Sequence, residues 1–224
     1  MKLERKVRLC SAAAAVLIAA IALTGCGGSK STASSAAASS VAASTAAATN
    51  NSCGEGVTWA LADGTLTISG TGRMYDYEWP ADRGGTTPPW LANKYRDSIR
   101  ALHVEQGITY IGRCAFDSCG NLSDVTLPTS LRIIGQCAFN DCTALRSIQL
   151  PEGLTTIGVW AFYCNPNISS IYIPASVTTI GEEAFIYYNN LDTVRYGGSQ
   201  SQWNAVSVAA NAFPDGVRYV YNVN

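Results

Sequence analysis

The chain has 224 residues, of which 47% are hydrophobic and 14% charged, and its formal net charge is −1. All 21 Phe, Trp and Tyr residues follow Cys53, so only the remaining 172 residues can build an aromatic core, which is enough for one domain. Residues 1–25 carry a net charge of +3 and the rest −4. A mildly acidic chain lacks the basic surface that nucleic-acid binding requires, so we expect no nucleic-acid partner.

The N-terminus has the features of an export signal. A basic segment, MKLERKVR, precedes an apolar run, LCSAAAAVLIAAIALTG, that is followed directly by Cys26. Leu23-Thr24-Gly25-Cys26 resembles a bacterial lipobox, and this resemblance implies cleavage before Cys26 and lipidation of its thiol. We predict a lipoprotein signal peptide over residues 1–25 and a membrane anchor at Cys26. The alternative is an uncleaved signal anchor.

The next segment is predicted to be a tether. Residues 27–52 contain 9 Ala, 8 Ser and 3 Thr, with one charged residue and no aromatic residue. Such a composition cannot bury enough apolar surface to offset the entropy cost of ordering the chain. We therefore predict a disordered tether over residues 26–52, which holds a folded domain away from the membrane.

An N-terminal cap module is predicted over residues 53–98. Alternating segments on either side of Asp63-Gly64 predict a β-hairpin, because Asp-Gly is a strong signal for a tight turn. Several aromatic residues follow the hairpin, and we expect them to pack the cap. The alternative is that exposed rings stack on cell-wall or host glycans. The residues concerned are Tyr75, Tyr77, Trp79, Trp90 and Tyr95.

A 23-residue period organises residues 99–196. Ile-Gly recurs at this spacing, as do Ala-Phe, a proline and two aliphatic columns. The Ile-Gly dipeptides are Ile111-Gly112, Ile134-Gly135, Ile157-Gly158 and Ile180-Gly181, and the Ala-Phe dipeptides are Ala115-Phe116, Ala138-Phe139, Ala161-Phe162 and Ala184-Phe185. A constant period predicts a solenoid in which each row is one turn, because no single turn can bury its apolar side alone.

The segment L-x-x-V-x-L of each turn is predicted to form a short strand, which the proline column ends. The strands of successive turns are expected to form one parallel sheet of five rungs. The glycine column is expected to supply either a positive-φ corner or room for close packing. The phenylalanine column is expected to form an aromatic spine through the turns.

The rows LPTSLRIIGQCAFNDCTALRSIQ, LPEGLTTIGVWAFYCNPNISSIY and IPASVTTIGEEAFIYYNNLDTVR resemble the BspA-like leucine-rich repeat family of bacterial surface proteins. The segment CGEGVTWALADGTLTISGTGRMYDY resembles the module that precedes the repeats in such proteins. The resemblance implies a mostly β (α+β) leucine-rich repeat solenoid of about four to five turns, with caps at both ends. It also implies a cell-surface protein, because the family includes adhesins that bind host matrix proteins.

The C-terminal cap is predicted over residues 197–224. Ser199 and Gln202 have the spacing of a capping box, which predicts the start of a short helix bearing Trp203. The alternation of Val217, Tyr219 and Tyr221 predicts a closing strand. Both elements would cover the apolar end of the solenoid.

The candidate binding residues lie between the inward-facing positions of the predicted strands. One column holds His103, Thr126, Gln149, Tyr172 and Arg195, and a neighbouring column holds Arg146. Tyr and Arg dominate the energetics of protein interfaces, so we predict that Tyr172, Arg195 and Arg146, with Gln149 and His103, contact an extracellular or host protein. The alternatives are an ordinary solvated sheet face on a structural surface protein, and a glycan-binding module that uses the cap aromatics.

The cysteines do not predict a metal site. Cys114, Cys119, Cys137 and Cys142 have the spacing C-x4-C-x17-C-x4-C, which superficially resembles a zinc site, but duplication of the 23-residue row explains it. We expect buried thiols; the alternatives are disulfides between neighbouring turns and a metal site. The single histidine, His103, is expected to face solvent, and the chain has no glycine-rich phosphate loop. We therefore expect no catalytic activity, no cofactor and no metal.

Overall fold

The structure is a computed structural model that describes residues 51–78, 86–92, 95–187 and 191–223. The predicted signal peptide, the lipidation of Cys26, nearly all of the tether and Trp79 lie outside these ranges. All described residues belong to one compact unit, residues 50–224. None of the helices in the described ranges has the length and hydropathy that a bilayer span needs.

The described ranges contain short strands and two one-turn helices. The strands are β1 Ser52–Gly54, β2 Val57–Ala62, β3 Thr65–Gly70, β4 Gly72–Arg73, β5 Ala101–Val104, β6 Ile108–Ile111, β7 Asp124–Thr126, β8 Ile133–Ile134, β9 Thr156–Ile157, β10 Ser170–Ile173, β11 Thr179–Ile180, β12 Thr193–Tyr196, β13 Ser207–Val208 and β14 Arg218–Val220. The helices are α1 Pro89–Ala92 and α2 Gln200–Trp203, and a 3₁₀ turn spans Arg96–Ser98. The fold is therefore mostly β, as the repeat pattern predicts.

The strands form three sheets. Their strand orders are β1-β2-β3-β5-β7, β10-β12-β14 and β13-β11-β9-β8-β6-β4. In the second repeat, β7 belongs to the first sheet and β8 to the six-stranded sheet, so one row crosses between two sheets. A row can therefore contain a second strand, which sequence analysis did not predict. The second strand carries the isoleucine before each repeat glycine, and its two residues are too few to show an alternating pattern.

The predicted sheet of five continuous rungs is wrong. β5 pairs with β7, and β10 pairs with β12, but residues 147–150 between them are not a strand. Ile148 and Leu150 are buried there and Gln149 is exposed. Buried and exposed residues thus still alternate as in a strand, although these residues do not pair in a sheet. Hydrogen bonds on the other side of the turns hold the rows together instead, such as Phe139 N–H to the Ala161 carbonyl at 2.8 Å.

The predicted aromatic spine is confirmed. The rings of Phe116, Phe139, Phe162 and Phe185 stack in order, with centroid separations of 5.3, 5.4 and 5.3 Å. Trp90 extends the stack at one end at 5.4 Å, and Phe213 extends it at the other at 4.9 Å. The spine therefore runs into both flanking regions.

The repeat glycines provide room for close packing and do not form positive-φ corners. A Cβ atom on Gly135 would lie 2.8 Å from the backbone nitrogen of Arg113 and from the backbone oxygen of Ile111. The left-handed conformation falls instead two residues after each glycine, at four non-glycine positions of one column. These are Cys114, Cys137, Trp160 and Glu183, with φ between 52° and 55°.

Both ends carry local structures that continue the sheets. β2 and β3 form an antiparallel hairpin whose turn residues, Asp63 and Gly64, have φ of 49° and 77°, as a type I′ turn requires. β3 then pairs in parallel with β5 of the first repeat. At the other end a reciprocal capping box joins Ser199 and Gln202 at the start of α2, and β14 pairs with β12.

Candidate partner-binding surface

The candidate surface is the outward face of the strands that begin each repeat. Strand register aligns His103 with Thr126 and Tyr172 with Arg195, as the 23-residue columns predict. Five of the six residues named in the two columns are exposed and one, Tyr172, is half-buried. The exposed members are His103, Thr126, Arg146, Gln149 and Arg195.

The structure brings three of the predicted binding residues together. Gln149, Tyr172 and Arg195 line one open depression with a volume of about 390 Å³. Arg146 and His103 lie outside it, and His103 is on a different sheet. The depression therefore contains three of the five predicted binding residues.

Glu152 fixes the orientation of Tyr172 in this depression. The Tyr172 hydroxyl donates a hydrogen bond to Glu152 Oε1 at 2.7 Å. Burial raises the pKa of Tyr172 to about 12, and the hydrogen bond and charge of Glu152 act in the same direction. The phenol is therefore protonated at neutral pH and remains a donor.

Gly197 makes room for this arrangement. A Cβ atom on Gly197 would lie 2.5 Å from the Tyr172 hydroxyl oxygen and 3.2 Å from the Ala175 backbone nitrogen. Sequence analysis missed both Gly197 and Glu152, because neither belongs to the column that contains Tyr172. Together they hold an aromatic ring beside an exposed guanidinium, an amide and a carboxylate.

The chemistry of the depression suits recognition of a polar surface. Arg195 supplies a positive charge and fixed donors, Glu152 a negative charge, and Gln149 both a donor and an acceptor. Ser147 and Ser170 add hydroxyl groups to the lining. Such a mixed set can pair with side chains of either charge, as interface residues do.

The cap aromatics divide into two groups. Tyr77 and Trp90 are 3% and 0% exposed, and their rings pack in a T-shaped arrangement with centroids 6.0 Å apart. The packing interpretation therefore holds for these two. Tyr75 and Tyr95 are exposed, and so are Trp160 and Tyr187 of the repeats, which sequence analysis did not single out as surface aromatics.

The repeat cysteines occupy two columns of the turns. Cys114, Cys119 and Cys142 are buried and Cys137 is half-buried, and all four are free thiols. Among the described residues, no group of three or more His, Cys, Asp and Glu side chains is placed to hold a metal ion.

One buried carboxyl group lies beside the spine. Asp117, which is 2% exposed, accepts hydrogen bonds from Asn140 Nδ2 and from Ser118 Oγ. Burial raises the pKa of Asp117 to about 6, although both hydrogen bonds and the charge of Arg96 act in the opposite direction. This carboxyl group is therefore ionised at neutral pH at a cost in folding stability.

We expect Asp117→Asn to remove a pH dependence of stability. The folded chain binds the Asp117 proton more tightly than the unfolded chain, so stability falls as pH rises from about 4 to about 6, by up to about 3 kcal/mol. A neutral amide at this position avoids the cost of burying a charge. The variant should therefore be more stable than the wild type at pH 7 but not at pH 4. Urea unfolding at both pH values measures the difference; an equal difference at both would contradict this assignment.

Comparison with known proteins agrees with this architecture. The family described as "BspA type Leucine rich repeat region" matches residues 94–213 in six copies, more than the four to five turns expected from the period. No curated protein matches the chain.

The chain is similar to several solved structures, among them two bacterial leucine-rich repeat proteins. A leucine-rich repeat protein from Eubacterium ventriosum shares 30% identity over 71% of this chain and 44% of its own, with a TM-score of 0.50. A leucine rich cell surface protein from Faecalibacterium prausnitzii shares 26% identity over 69% of this chain and 41% of its own, with a TM-score of 0.52. The chain thus spans less than half the length of either protein. Since the family match covers more than half of its residues, the chain belongs to the BspA-type leucine-rich repeat family.

Proposed function

We propose that the chain is an exported bacterial cell-surface protein, lipid-anchored at Cys26, that binds an external protein partner through the depression around Tyr172 and Arg195. The lipobox-like segment before Cys26 supports the anchor. The Faecalibacterium relative is described as a cell surface protein, which supports the location.

The observation that carries the binding proposal is the fixed arrangement of Tyr172 beside Arg195. A tyrosine held by the hydrogen bond to Glu152 loses little conformational freedom on binding, which lowers the entropy cost of association. Arg195 is exposed on the neighbouring strand and can reach a partner carboxylate with two parallel hydrogen bonds. Gln149 borders the same depression, whereas Arg146 and His103 extend the surface beyond it.

Binding measurements on residues 50–224 test this proposal against the glycan alternative. The probes are purified extracellular-matrix proteins and soluble cell-wall glycans, each titrated separately. We expect a matrix protein to bind, and the double variant Tyr172→Ala/Arg195→Ala to weaken that binding by about 100-fold, since interface tyrosines and arginines each contribute about 1–2 kcal/mol or more.

A matched control removes the same residue types from the cap. Arg73 and Tyr75 are exposed there, so Arg73→Ala/Tyr75→Ala should leave protein binding unchanged. Binding of a glycan alone, lost in this cap variant and retained in the Tyr172/Arg195 variant, would replace the proposed function with the glycan-binding alternative.

A further inference from the structure

The thiols of Cys114 and Cys137 meet across two adjacent turns. They occupy one column of the repeat, 23 residues apart, and line the same surface depression. The backbones run side by side here: Cys114 N–H donates to the Gln136 carbonyl and Phe116 N–H to the Ala138 carbonyl, both at 2.9 Å. Chains hydrogen-bonded in this way lie about 5 Å apart, within the range of about 4.4–6.8 Å between Cα atoms that a disulfide spans.

This pair borders a surface depression. Cys137 is half-buried and Cys114 is 6% exposed, and both line the depression, which has a volume of about 250 Å³, with Arg113, Gln136 and Trp160. A small thiol reagent can therefore reach the two sulfur atoms.

A second cysteine column provides an internal contrast. Cys119 and Cys142 also lie one period apart, but both are 0% exposed. The Cys142 thiol donates a hydrogen bond to the Phe116 carbonyl oxygen at 3.3 Å, which holds it in the core. Burial raises the pKa of Cys119 to about 12, so this thiol is protonated and unreactive.

We propose that Cys114 and Cys137 are a redox-active pair that closes to a disulfide between adjacent turns on reaction with a small disulfide oxidant, R–S–S–R. The thiolate of Cys114 attacks one sulfur of the oxidant and releases R–S⁻, which leaves a mixed disulfide. The thiolate of Cys137 then attacks Cys114 Sγ and releases the second R–S⁻. The two cysteines lose two electrons and two protons in total, and the oxidant becomes two molecules of R–SH.

The local environment favours this order of attack. The hydrogen bond from Cys137 lowers the pKa of Cys114, and the charge of Arg113 acts in the same direction. The same hydrogen bond raises the pKa of Cys137. Formation of the mixed disulfide removes the negative charge on Cys114. That charge then no longer raises the pKa of Cys137, so the Cys137 thiolate can form and attack.

Peptide mapping of the purified full-length protein tests this proposal. The reduced protein is treated with oxidised glutathione, quenched in acid, unfolded, alkylated and digested without reductant. We expect a linked Cys114–Cys137 peptide, with Cys119 and Cys142 recovered in the alkylated form. The melting temperature should rise by roughly 5–10 °C on oxidation and return on reduction, because the bond links residues 23 positions apart.

Two serine variants serve as the test and its control. Cys114→Ser should abolish both the linked peptide and the shift in melting temperature, whereas Cys119→Ser should retain both. Recovery of Cys114 and Cys137 as two alkylated thiols or as stable glutathione adducts from the oxidised wild type would overturn the proposal. So would a link between Cys119 and Cys142 in place of Cys114–Cys137.

Discussion

Replacing Phe139 with alanine should lower the free energy of unfolding by about 3–5 kcal/mol, because it removes a large side chain from the middle of a close-packed core. Phe139 is 0% exposed and stacks on Phe116 and Phe162, at 5.3 and 5.4 Å. The substitution thus leaves a cavity and also breaks two ring contacts. Urea unfolding followed by circular dichroism measures the loss.

Two further variants separate burial from stacking. Phe139→Leu keeps most of the apolar volume, so we expect it to cost less than Phe139→Ala, about 1–3 kcal/mol, mainly through the lost ring stacking. Tyr75→Ala removes an aromatic ring that is half exposed and should cost less than about 1 kcal/mol. If Phe139→Ala unfolds at the same urea concentration as the wild type, the spine does not hold the turns together.

The second large effect is expected at the repeat glycines. Gly135→Val should cost about 3 kcal/mol or more, since its side chain must displace the backbone of the preceding turn. The backbone atoms in the way belong to Ile111 and Arg113, which cannot rotate aside as a side chain would. The same Ile111 carbonyl accepts a hydrogen bond from the Gly135 N–H at 2.9 Å. Displacing this backbone therefore also weakens the hydrogen bond between the two turns. Thermal and urea unfolding measure the cost.

Gly120 is the matched control for this substitution. A Cβ atom on Gly120 would contact only the Thr143 hydroxyl oxygen, at 3.4 Å, and the residue does not have positive φ. Gly120→Ala should therefore change stability by less than about 1 kcal/mol. Equal losses in the Gly135 and Gly120 variants would show that close approach of the turns is not the reason for the glycine column.

The 23-residue columns predict the repeat fold well because their period counts the residues in one turn. A column that is always apolar must face the core, as Phe139 does, and a column that changes between polar residues faces solvent, as Gln149 does. The period does not predict residues that lie outside the repeats or off their spacing. Trp90 and Phe213 both extend the spine, yet Trp90 lies before the repeats and Phe213 five residues beyond the position that the period predicts.

The depression around Tyr172 was harder to predict than the column on which it lies. The column places Tyr172 beside Arg195, but the orientation of the Tyr172 ring depends on Glu152 and Gly197, which come from other positions of the repeat. The pairing of Cys114 with Cys137 is the opposite case, since the period alone places them in one column. Sequence alone cannot separate this accessible pair from the buried one, because burial depends on the packing of the whole turn.

Hydrogen–deuterium exchange of the chain, with and without a matrix protein, tests most directly whether the outward face around Tyr172 binds a protein. We predict slower exchange in residues 147–152, 170–173 and 193–197 on binding, with no change around Tyr75 in the cap or around Trp160 in the turn. Protection confined to the cap or to the six-stranded sheet, with none in these three segments, would contradict the claim.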